Sequence, residues 1–364
     1  MSKQSALLKP KALKQGDKVA IVSLSRGILG ESFVVHSLER GAKRLRDLGL
    51  EPVFMPNSLK GVKYLQENPE ARADDLKAAF DDSSIKGIIS AIGGDDGYRL
   101  APYLLEDKRF AKQVKENPKL FTGFSDTTNH HLILYQLGLS SLYGHSFLTD
   151  LAELSPKMLP YTEKEIGRWF RSDERYVIPQ SALWYEERGA HDVSQLDKER
   201  VAHEELVGHQ VLQGDGVVRG ELLGGCLESL YYLLSGERYA EQKRFNERYG
   251  IMPEPDVWRG KVVFLETSEM KIVPEIFRHM VQTLKDYGIF EACAAVLLGK
   301  PQDEQYAKEY QSALLEILSR EDLLVMGNLP FGHAYPRTFL AYGQTIELVS
   351  ESRSVIQAEA WFSR

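Results

Sequence analysis

The chain has 364 residues, of which 43% are hydrophobic and 27% charged, and this composition excludes a disordered, collagen-like or disulfide-stapled protein. Its formal net charge of −7, without a basic block, disfavours binding to a nucleic acid polymer, because that affinity comes from neutralising phosphates. Lys, Pro and Gln interrupt the first 25 residues before the apolar core of a secretory leader could form, and no apolar run is long enough to cross a bilayer. The sequence therefore predicts a cytoplasmic protein without membrane contact.

Short apolar runs alternate with amphipathic stretches in the first half of the chain. The runs at 18–23, 85–92 and 119–124 predict buried strands, and the stretches at 37–48 and 71–80 predict helices. This alternation is typical of a parallel sheet covered by helices on both faces. In such sheets the functional loops follow the carboxyl ends of the strands.

The length suggests two domains, since a domain usually has about 100 to 200 residues. The stretch 168–210 is charged, contains scattered aromatic residues and has no sustained period, so we interpret it as a connector that could include short strands. We therefore expect an N-terminal α/β domain at 1–167 and a C-terminal domain at 211–364.

Several elements of the C-terminal domain are also predicted from the sequence. The run GELLGGCLESLYYLLSG at 220–236 is interpreted as a glycine turn that opens a helix. Buried strands are predicted at 261–265 and 294–298, and edge strands or a hairpin at 344–362.

Ser125 lies between a predicted strand and a predicted helix, in the segment GFSDTT. A serine at such a junction can present its hydroxyl at the top of the sheet, with a helix N-terminus facing developing negative charge. The G-x-S-x-G signature is incomplete, however, because Thr127 occupies its last position. Taken alone, the motif favours a simpler interpretation, in which Ser125 or Asp126 caps the helix.

A glycine-rich loop, IGGDDG, follows the strand predicted at 85–92. Consecutive glycines let backbone N–H groups come close to a ligand, as an oxyanion hole requires. Phosphate binding is disfavoured, because Asp95 and Asp96 would repel the anion and no P-loop pattern is present. The alternative is an ordinary tight turn.

Two further residues are candidates for acid–base chemistry. Glu266 ends the apolar strand VVFLE, where a carboxylate can orient a histidine, although many acids at strand ends are merely solvated. His333 lies in the loop GNLPFGHAYPR, which is where a general base is often displayed, although a lone histidine is more often structural.

The other histidines and the cysteines favour no metal site. His130 and His131 are adjacent on one helix and cannot both face one ligand, and the spacing of His203 and His209 is not that of a metal-binding helix. The chain has only two cysteines, and Cys226 lacks an electropositive setting that would activate it as a nucleophile.

Six segments nevertheless occur in order between residues 92 and 336: IGGDDG, GFSDTT, GELLGGCLESL, VVFLETSE, LLGKP and FGHAYP. With them, nearly the whole chain resembles the LD-carboxypeptidase family of serine peptidases. Its FLETSE and GGC variants are most similar to the branch that contains the microcin C self-immunity peptidases. The resemblance implies an α/β fold with an N-terminal flavodoxin-like parallel-sheet lobe and a smaller β-rich α/β C-terminal lobe. It also implies an active site between the lobes and, usually, a homodimer.

The resemblance further implies a catalytic triad in the chain order Ser125, Glu266 and His333, which act as nucleophile, orienting acid and general base. The backbone N–H groups of Gly94 and Asp126 would form the oxyanion hole. Neither a metal nor an organic cofactor is expected. The implied reaction is hydrolysis of an amide bond.

The implied substrate is either an aminoacyl or peptidyl nucleotide like microcin C or an LD-linked murein peptide. Members closer to the murein-recycling enzymes tend to carry a tyrosine in the Gly-Gly loop and an asparagine at the position of Cys226, and these departures disfavour the murein tetrapeptide. Asp95, Trp184 and Glu269 are candidate substrate contacts. Trp184 would stack on a nucleobase or sugar, with buried packing as the alternative. A different class of protein, a two-lobed small-molecule binding protein without catalysis, would be expected to carry a secretory leader.

Overall fold

The chain divides into two compact units in the computed structural model, which describes residues 6–363. The first unit comprises the described residues of Met1–Ser172, Arg188–Arg200 and Phe362–Arg364, and the second comprises Asp173–Glu187 and Val201–Trp361. The stretch 168–210, predicted as a connector, therefore contributes residues to both units.

Five parallel strands form the sheet of the first unit. They are β1 (Lys18–Val22), β2 (Glu51–Phe54), β3 (Ile85–Ser90), β4 (Leu120–Gly123) and β5 (Leu142–Tyr143). Within this unit they lie in the order β2-β1-β3-β4-β5, which is the flavodoxin-like order and confirms the predicted parallel sheet. The order reverses between β1 and β3, so the loops after these two strands flank the position where such sheets usually bind ligands.

Helices accompany these strands along the chain. They are α1 (Val35–Asp47), α2 (Gly61–Glu67), α3 (Pro69–Asp81), α4 (Ala101–Leu105), α5 (Lys108–Glu116), α6 (Thr128–Gln136) and α7 (Pro160–Ile166). Helices α1 to α6 connect the strands, as parallel neighbours require, and α7 follows β5. The helices predicted at 37–48 and 71–80 are confirmed as α1 and α3. Helix α6 is buried over all of its residues except the last, so it belongs to the core beside β4.

A buried charge cluster explains why Arg188–Arg200 belongs to the first unit. Glu153 accepts hydrogen bonds from Arg188 Nη2 at 2.5 Å and from Arg200 Nε at 2.7 Å, and all three side chains are almost completely buried. Burial opposes the charge of Glu153, but the attraction of the two arginines outweighs it and lowers the pKa of Glu153 to about 2. The cluster therefore fastens this segment to the first unit.

The second unit contains eleven strands among its described residues. They are β6 (Tyr176–Val177), β7 (Leu183–Tyr185), β8 (Ala202–Glu204), β9 (Gln210–Gln213), β10 (Val217–Cys226), β11 (Val262–Glu266), β12 (Ala295–Gly299), β13 (Leu324–Leu329), β14 (Leu340–Ala341), β15 (Thr345–Val349) and β16 (Ser354–Gln357). Eight of them form a mixed sheet in the order β6-β16-β15-β10-β11-β12-β13-β9, and β7 pairs with β8. Strands β11 and β12 are buried throughout, which confirms the strands predicted at 261–265 and 294–298.

Four helices accompany this sheet: α8 (Leu227–Ser235), α9 (Ala240–Tyr249), α10 (Pro274–Tyr287) and α11 (Ala307–Leu318). They connect the parallel strands β10, β11, β12 and β13. No helix within residues 6–363 has both the length and the apolar character needed to span a membrane.

Two predictions for this unit need correction. The glycines of GELLGG lie inside β10 and not in a turn. Glycine is needed there because a neighbouring backbone segment of the same chain passes too close for side chains. A Cβ at Gly224 would lie 1.8 Å from the carbonyl oxygen of Phe264, and one at Gly220 would lie 2.6 Å from that of Gly260. The hairpin predicted at 344–362 is confirmed as β15 and β16, but its strands are not edges, because β6 pairs with the outer side of β16.

Candidate active site

Ser125 occupies a strained turn between β4 and α6. Its φ of +63° lies in the left-handed region, which is uncommon for residues with a side chain and typical of functional turns. Its N–H donates to the hydroxyl of Tyr143 at 3.1 Å. The N-cap residue of α6 is Thr127, so neither Ser125 nor Asp126 occupies the capping position. This is the geometry of a strand–turn–helix nucleophile turn.

The glycine loop after β3 lies directly against this turn. A Cβ at Gly93 would lie 2.8 Å from the Cβ of Ser125, and one at Gly94 would lie 2.2 Å from the Oγ of Ser25. Only glycine allows this close approach, so the loop is more specialised than an ordinary tight turn. The role of the Gly94 and Asp126 N–H groups as an oxyanion hole stays a prediction.

The side chain of Asp126 ties the two loops beside Ser125 together. Its Oδ2 accepts from Ser25 Oγ at 2.5 Å and from the N–H of Gly97 at 2.8 Å, and its Oδ1 accepts from Asn129 Nδ2 at 2.7 Å. Complete burial raises the pKa of Asp126 to about 6, although the hydrogen bonds from Ser25 and Gly97 act in the opposite direction. The sequence suggested the Asp126 side chain only as a helix cap, so its role in joining the two loops was missed.

Arg72 is a second support that the sequence analysis missed. It is completely buried on α3 and binds Asp96 through two contacts, Nη1 to Oδ1 at 2.6 Å and Nη2 to Oδ2 at 3.1 Å. Its Nη1 also donates to the carbonyl of Ser25 at 3.2 Å. Arg72 thereby balances the charge of Asp96. Asp95, a predicted substrate contact, lies in the same loop and is half-buried. An arginine between the buried alanines of α3 was the available signal.

Glu266 and His333, both in the second unit, form a buried pair. The Oε2 of Glu266 accepts from His333 Nδ1 at 2.7 Å and from the N–H of His333 at 3.1 Å. Glu266 is wholly buried, so the interpretation as a solvated acid at a strand end is wrong. Gly332 makes the pairing possible, because its φ is +82° and a Cβ there would lie 2.4 Å from the Cγ of Glu266.

The other ring nitrogen of His333 also contacts a carboxylate. Its Nε2 lies 3.0 Å from Oε2 of Glu269. Burial alone would lower the pKa of His333, but Glu266 and Glu269 together outweigh it and raise that pKa to about 10. The hydrogen bond with His333 lowers the pKa of Glu269 to about 2. The two carboxylates therefore favour the protonated form of the imidazole in this arrangement.

Glu228 anchors the loop between Glu266 and Glu269. It is buried on α8 and accepts from the Oγ of Ser268 at 2.7 Å and from its N–H at 3.0 Å. Burial raises the pKa of the neighbouring Cys226 thiol far above its ordinary value, and this thiol donates to Glu228. Glu228 escaped the sequence analysis, although an acid in the apolar segment LESLYYLL was a usable signal.

Trp184 lies on β7 and is only partly buried. Its ring stacks on His203 with the centroids 4.2 Å apart, and Lys300 Nζ lies 5.2 Å from its centroid. Lys300 Nζ also forms an ion pair with Oε2 of Glu205 at 2.5 Å. Together with Trp184 and Tyr335, Lys300 lines a small recess. The ring of Trp184 is thus not a core side chain.

The predicted site residues fall into two groups. Ser125, Gly94, Asp95 and Asp126 belong to the first unit, and Trp184, Glu266, Glu269 and His333 belong to the second. Within the second unit the structure brings Glu266, Glu269 and His333 together around one imidazole.

Known proteins resemble this chain over nearly its whole length. Residues 19–144 match the LD-carboxypeptidase N-terminal domain, and residues 219–348 match the LD-carboxypeptidase C-terminal domain. The chain is 35% identical to "Putative carboxypeptidase SCO6489" of Streptomyces coelicolor, over 95% of this chain and 94% of that protein. It is 23% identical to the microcin C7 self-immunity protein MccF of Escherichia coli, over 89% of this chain and 88% of that protein.

A solved structure is more similar still. The crystal structure of an MccF-like protein from Streptococcus pneumoniae in complex with AMP is 43% identical, with a TM-score of 0.89, and the match covers 93% of this chain and 98% of that chain. The chain belongs to the LD-carboxypeptidase family, and the resemblance to its microcin self-immunity branch is confirmed.

Proposed function

We propose that the chain is a serine carboxypeptidase or amidase that hydrolyses an amide bond through Ser125, Glu266 and His333. The observation that carries the proposal is the buried hydrogen bond of 2.7 Å between Glu266 and Nδ1 of His333. Such a bond fixes the imidazole tautomer and orients Nε2 as the nitrogen that exchanges a proton. The left-handed turn at Ser125 and membership of the LD-carboxypeptidase family support the same assignment.

In the proposed reaction, His333 Nε2 takes the proton of Ser125 Oγ while this oxygen attacks the amide carbonyl carbon. The N–H groups of Gly94 and Asp126 stabilise the negative oxygen of the tetrahedral intermediate. His333 then gives the proton to the leaving nitrogen as the C–N bond breaks, which leaves an ester on Ser125. A water molecule, deprotonated by His333, hydrolyses the ester and restores the serine hydroxyl.

We propose a small substrate, either an aminoacyl or peptidyl nucleotide like microcin C or an LD-linked murein peptide. AMP bound to the Streptococcus pneumoniae relative favours the nucleotide. The partly exposed ring of Trp184 supports the same choice, because aromatic rings stack on nucleobases. The LD-carboxypeptidase domains support the murein peptide. Homodimer formation, a cytoplasmic location and a substrate contact by Asp95 stay predictions.

A mass-spectrometric cleavage assay tests this proposal. Wild type and Ser125→Ala are compared on alanyl sulfamoyl adenosine and on a murein LD-tetrapeptide, with Ser83→Ala, at an exposed serine, as the matched control. We expect wild type and the control to release the amino acid from the nucleotide analogue and Ser125→Ala to release none. Release of D-alanine from the tetrapeptide alone would instead identify the murein peptide as the substrate.

The other two triad residues are tested by substitution. Glu266→Ala and His333→Ala should each lower turnover by orders of magnitude with the circular dichroism spectrum unchanged, and Glu266→Gln should lower it by about 10⁴-fold, because the amide stabilises the wrong tautomer. Activity like that of wild type in any variant removes that residue from the mechanism. Silence on both substrates, with Ser125 still labelled by a fluorophosphonate, would overturn the substrate assignment but not the nucleophile.

A further inference from the structure

The Nε2 atom of His333 is already occupied. An imidazole nitrogen has a single in-plane position for a hydrogen-bond partner, and Glu269 Oε2 takes that position at 3.0 Å. A hydroxyl that is to give its proton to Nε2 must therefore displace Glu269. With Glu266 on Nδ1 and Glu269 on Nε2, both nitrogens carry a proton, and the ring cannot act as a base.

Glu269 can leave this position without a movement of the loop that carries it. Its neighbour Ser268 is anchored to Glu228, and Lys271 on the other side is paired with Asp303. The side chain of Glu269 itself is 64% exposed, whereas that of His333 is only 7% exposed. Rotation about the side-chain bonds of Glu269 is enough to expose Nε2. Without this carboxylate the imidazolium is less stable, so its Nε2 proton passes to solvent water, and only then can the neutral ring act as a base.

The surroundings of His333 are rich in negative charge. Three carboxylates, those of Glu228, Glu266 and Glu269, lie around this one imidazole and its loop. Arg337 donates to the carbonyl of His333 at 3.4 Å, and Arg238 acts on Glu269 from a distance. The charge of Glu266 also acts on the buried thiol of Cys226 and on the buried hydroxyl of Tyr342. A freed Glu269 carboxylate adds a charge that a cation can balance.

We propose that Glu269 blocks Nε2 of His333 in the substrate-free protein, and we call this contact the latch. The substrate breaks the contact because it brings a positively charged amino group, next to the scissile carbonyl, to which the Glu269 carboxylate binds instead. The inference rests on the proposed function and narrows its substrate class to acyl groups with a free α-ammonium. The α-nitrogen is two bonds from the carbonyl carbon, so it comes within reach of a carboxylate that has just left Nε2. An ammonium has three donors and no acceptor, which suits a carboxylate better than a ring nitrogen.

Two nearly isosteric substrates test the ammonium preference. Alanyl sulfamoyl adenosine carries an α-ammonium, and its lactyl analogue carries a hydroxyl at the same position. For wild type we expect kcat/KM to be about ten- to a hundredfold higher for the alanyl compound, the range of a charge-assisted hydrogen bond. In Glu269→Gln the ratio should fall to within about threefold of unity. Glu275→Gln, an equal charge change at an exposed position on α10, should keep the wild-type ratio.

A substrate-free measurement tests the latch separately. The imidazole of His333 is titrated by NMR in histidine-labelled protein and assigned by its loss in His333→Asn. We expect it to titrate at lower pH in Glu269→Gln than in wild type, because a neutral amide stabilises the imidazolium less, and to be unchanged in Glu275→Gln. Identical titrations in wild type and Glu269→Gln overturn the latch.

The outcomes separate this inference from the proposed function. Equal cleavage of both compounds by wild type, or an unchanged ratio in Glu269→Gln, overturns the ammonium preference while the proposed function stands. Cleavage of neither compound by wild type overturns the ammonium preference together with the nucleotide substrate. In that case the latch is still decided by the titration of His333.

Discussion

The Glu153 cluster predicts a specific dependence of stability on pH. The pKa of Glu153 is about 2 in the folded protein, against an ordinary value of 4.5. A group whose pKa is depressed on folding stabilises the protein at pH values above its unfolded pKa, and the contribution is lost as the pH falls through the folded pKa. The difference corresponds to about 3 kcal/mol, present above about pH 5 and lost by about pH 2.

The perturbation is Glu153→Gln, which leaves Arg188 and Arg200 buried without a negative partner. At neutral pH we expect the free energy of unfolding of the first unit to fall by about 3 to 5 kcal/mol. As the pH falls from about 5 to about 2, the difference between wild type and variant should shrink by about 3 kcal/mol, because wild-type Glu153 also loses its charge. Other carboxylates titrate in both proteins, so they cancel in this difference.

Urea unfolding followed by hydrogen exchange of peptides from the first unit measures this difference at each pH. A local probe is needed because the chain has two compact units and a global transition would mix them. Asp47→Asn, at an exposed ion pair with Lys43, is the control and should cost no more than about 0.5 kcal/mol at any pH. A wild-type to Glu153→Gln difference that stays constant between pH 5 and pH 2 would refute the reasoning.

Two further predictions concern Gly332 and the two cysteines of the second unit. Gly332→Ala should lower kcat by about 100-fold in the cleavage assay, because the added Cβ would push Glu266 away from His333. The control is Gly16→Ala, which has a similar φ of +86° but open space around it and should keep full activity. Equal losses in both variants would mean that backbone strain alone lowers the activity. Because Cys226 and Cys293 are both buried, neither should react with Ellman's reagent in the native protein near pH 8. In denaturant the reagent should detect two thiols per chain. A fast reaction of the native protein would contradict the burial of these side chains.

Much of the central framework could be predicted from the sequence. Strands β1, β3, β4, β11 and β12 are short, mostly apolar and mostly buried, which is what burial on both faces of a parallel sheet produces. The candidate catalytic residues could be identified because six motifs occur in order, although each of the four motifs that carry them, taken alone, favoured or equally allowed a simpler interpretation.

The remaining features depend on contacts that no local pattern encodes. Strand β13 is interrupted in sequence by Gly327 and Asn328, and β6 has only two residues, held by pairing with a strand about 180 positions later. The glycines of β10 resemble a turn because glycine usually marks turns, whereas here the nearby backbone requires them. The partnership of Glu228 with Ser268, 40 residues apart, likewise follows only from the fold.

The path of the chain has a consequence for how this protein can be divided. The backbone passes between the two units four times, after Ser172, Glu187, Arg200 and Trp361. No single cut of the gene therefore yields a complete first unit, since any contiguous N-terminal fragment that ends before residue 188 lacks both arginines of the Glu153 cluster. A recombination event between the codons of Glu153 and Arg188 would break this cluster, whereas one after Arg200 would keep it but would transfer residues 173–187 of the second unit together with the first.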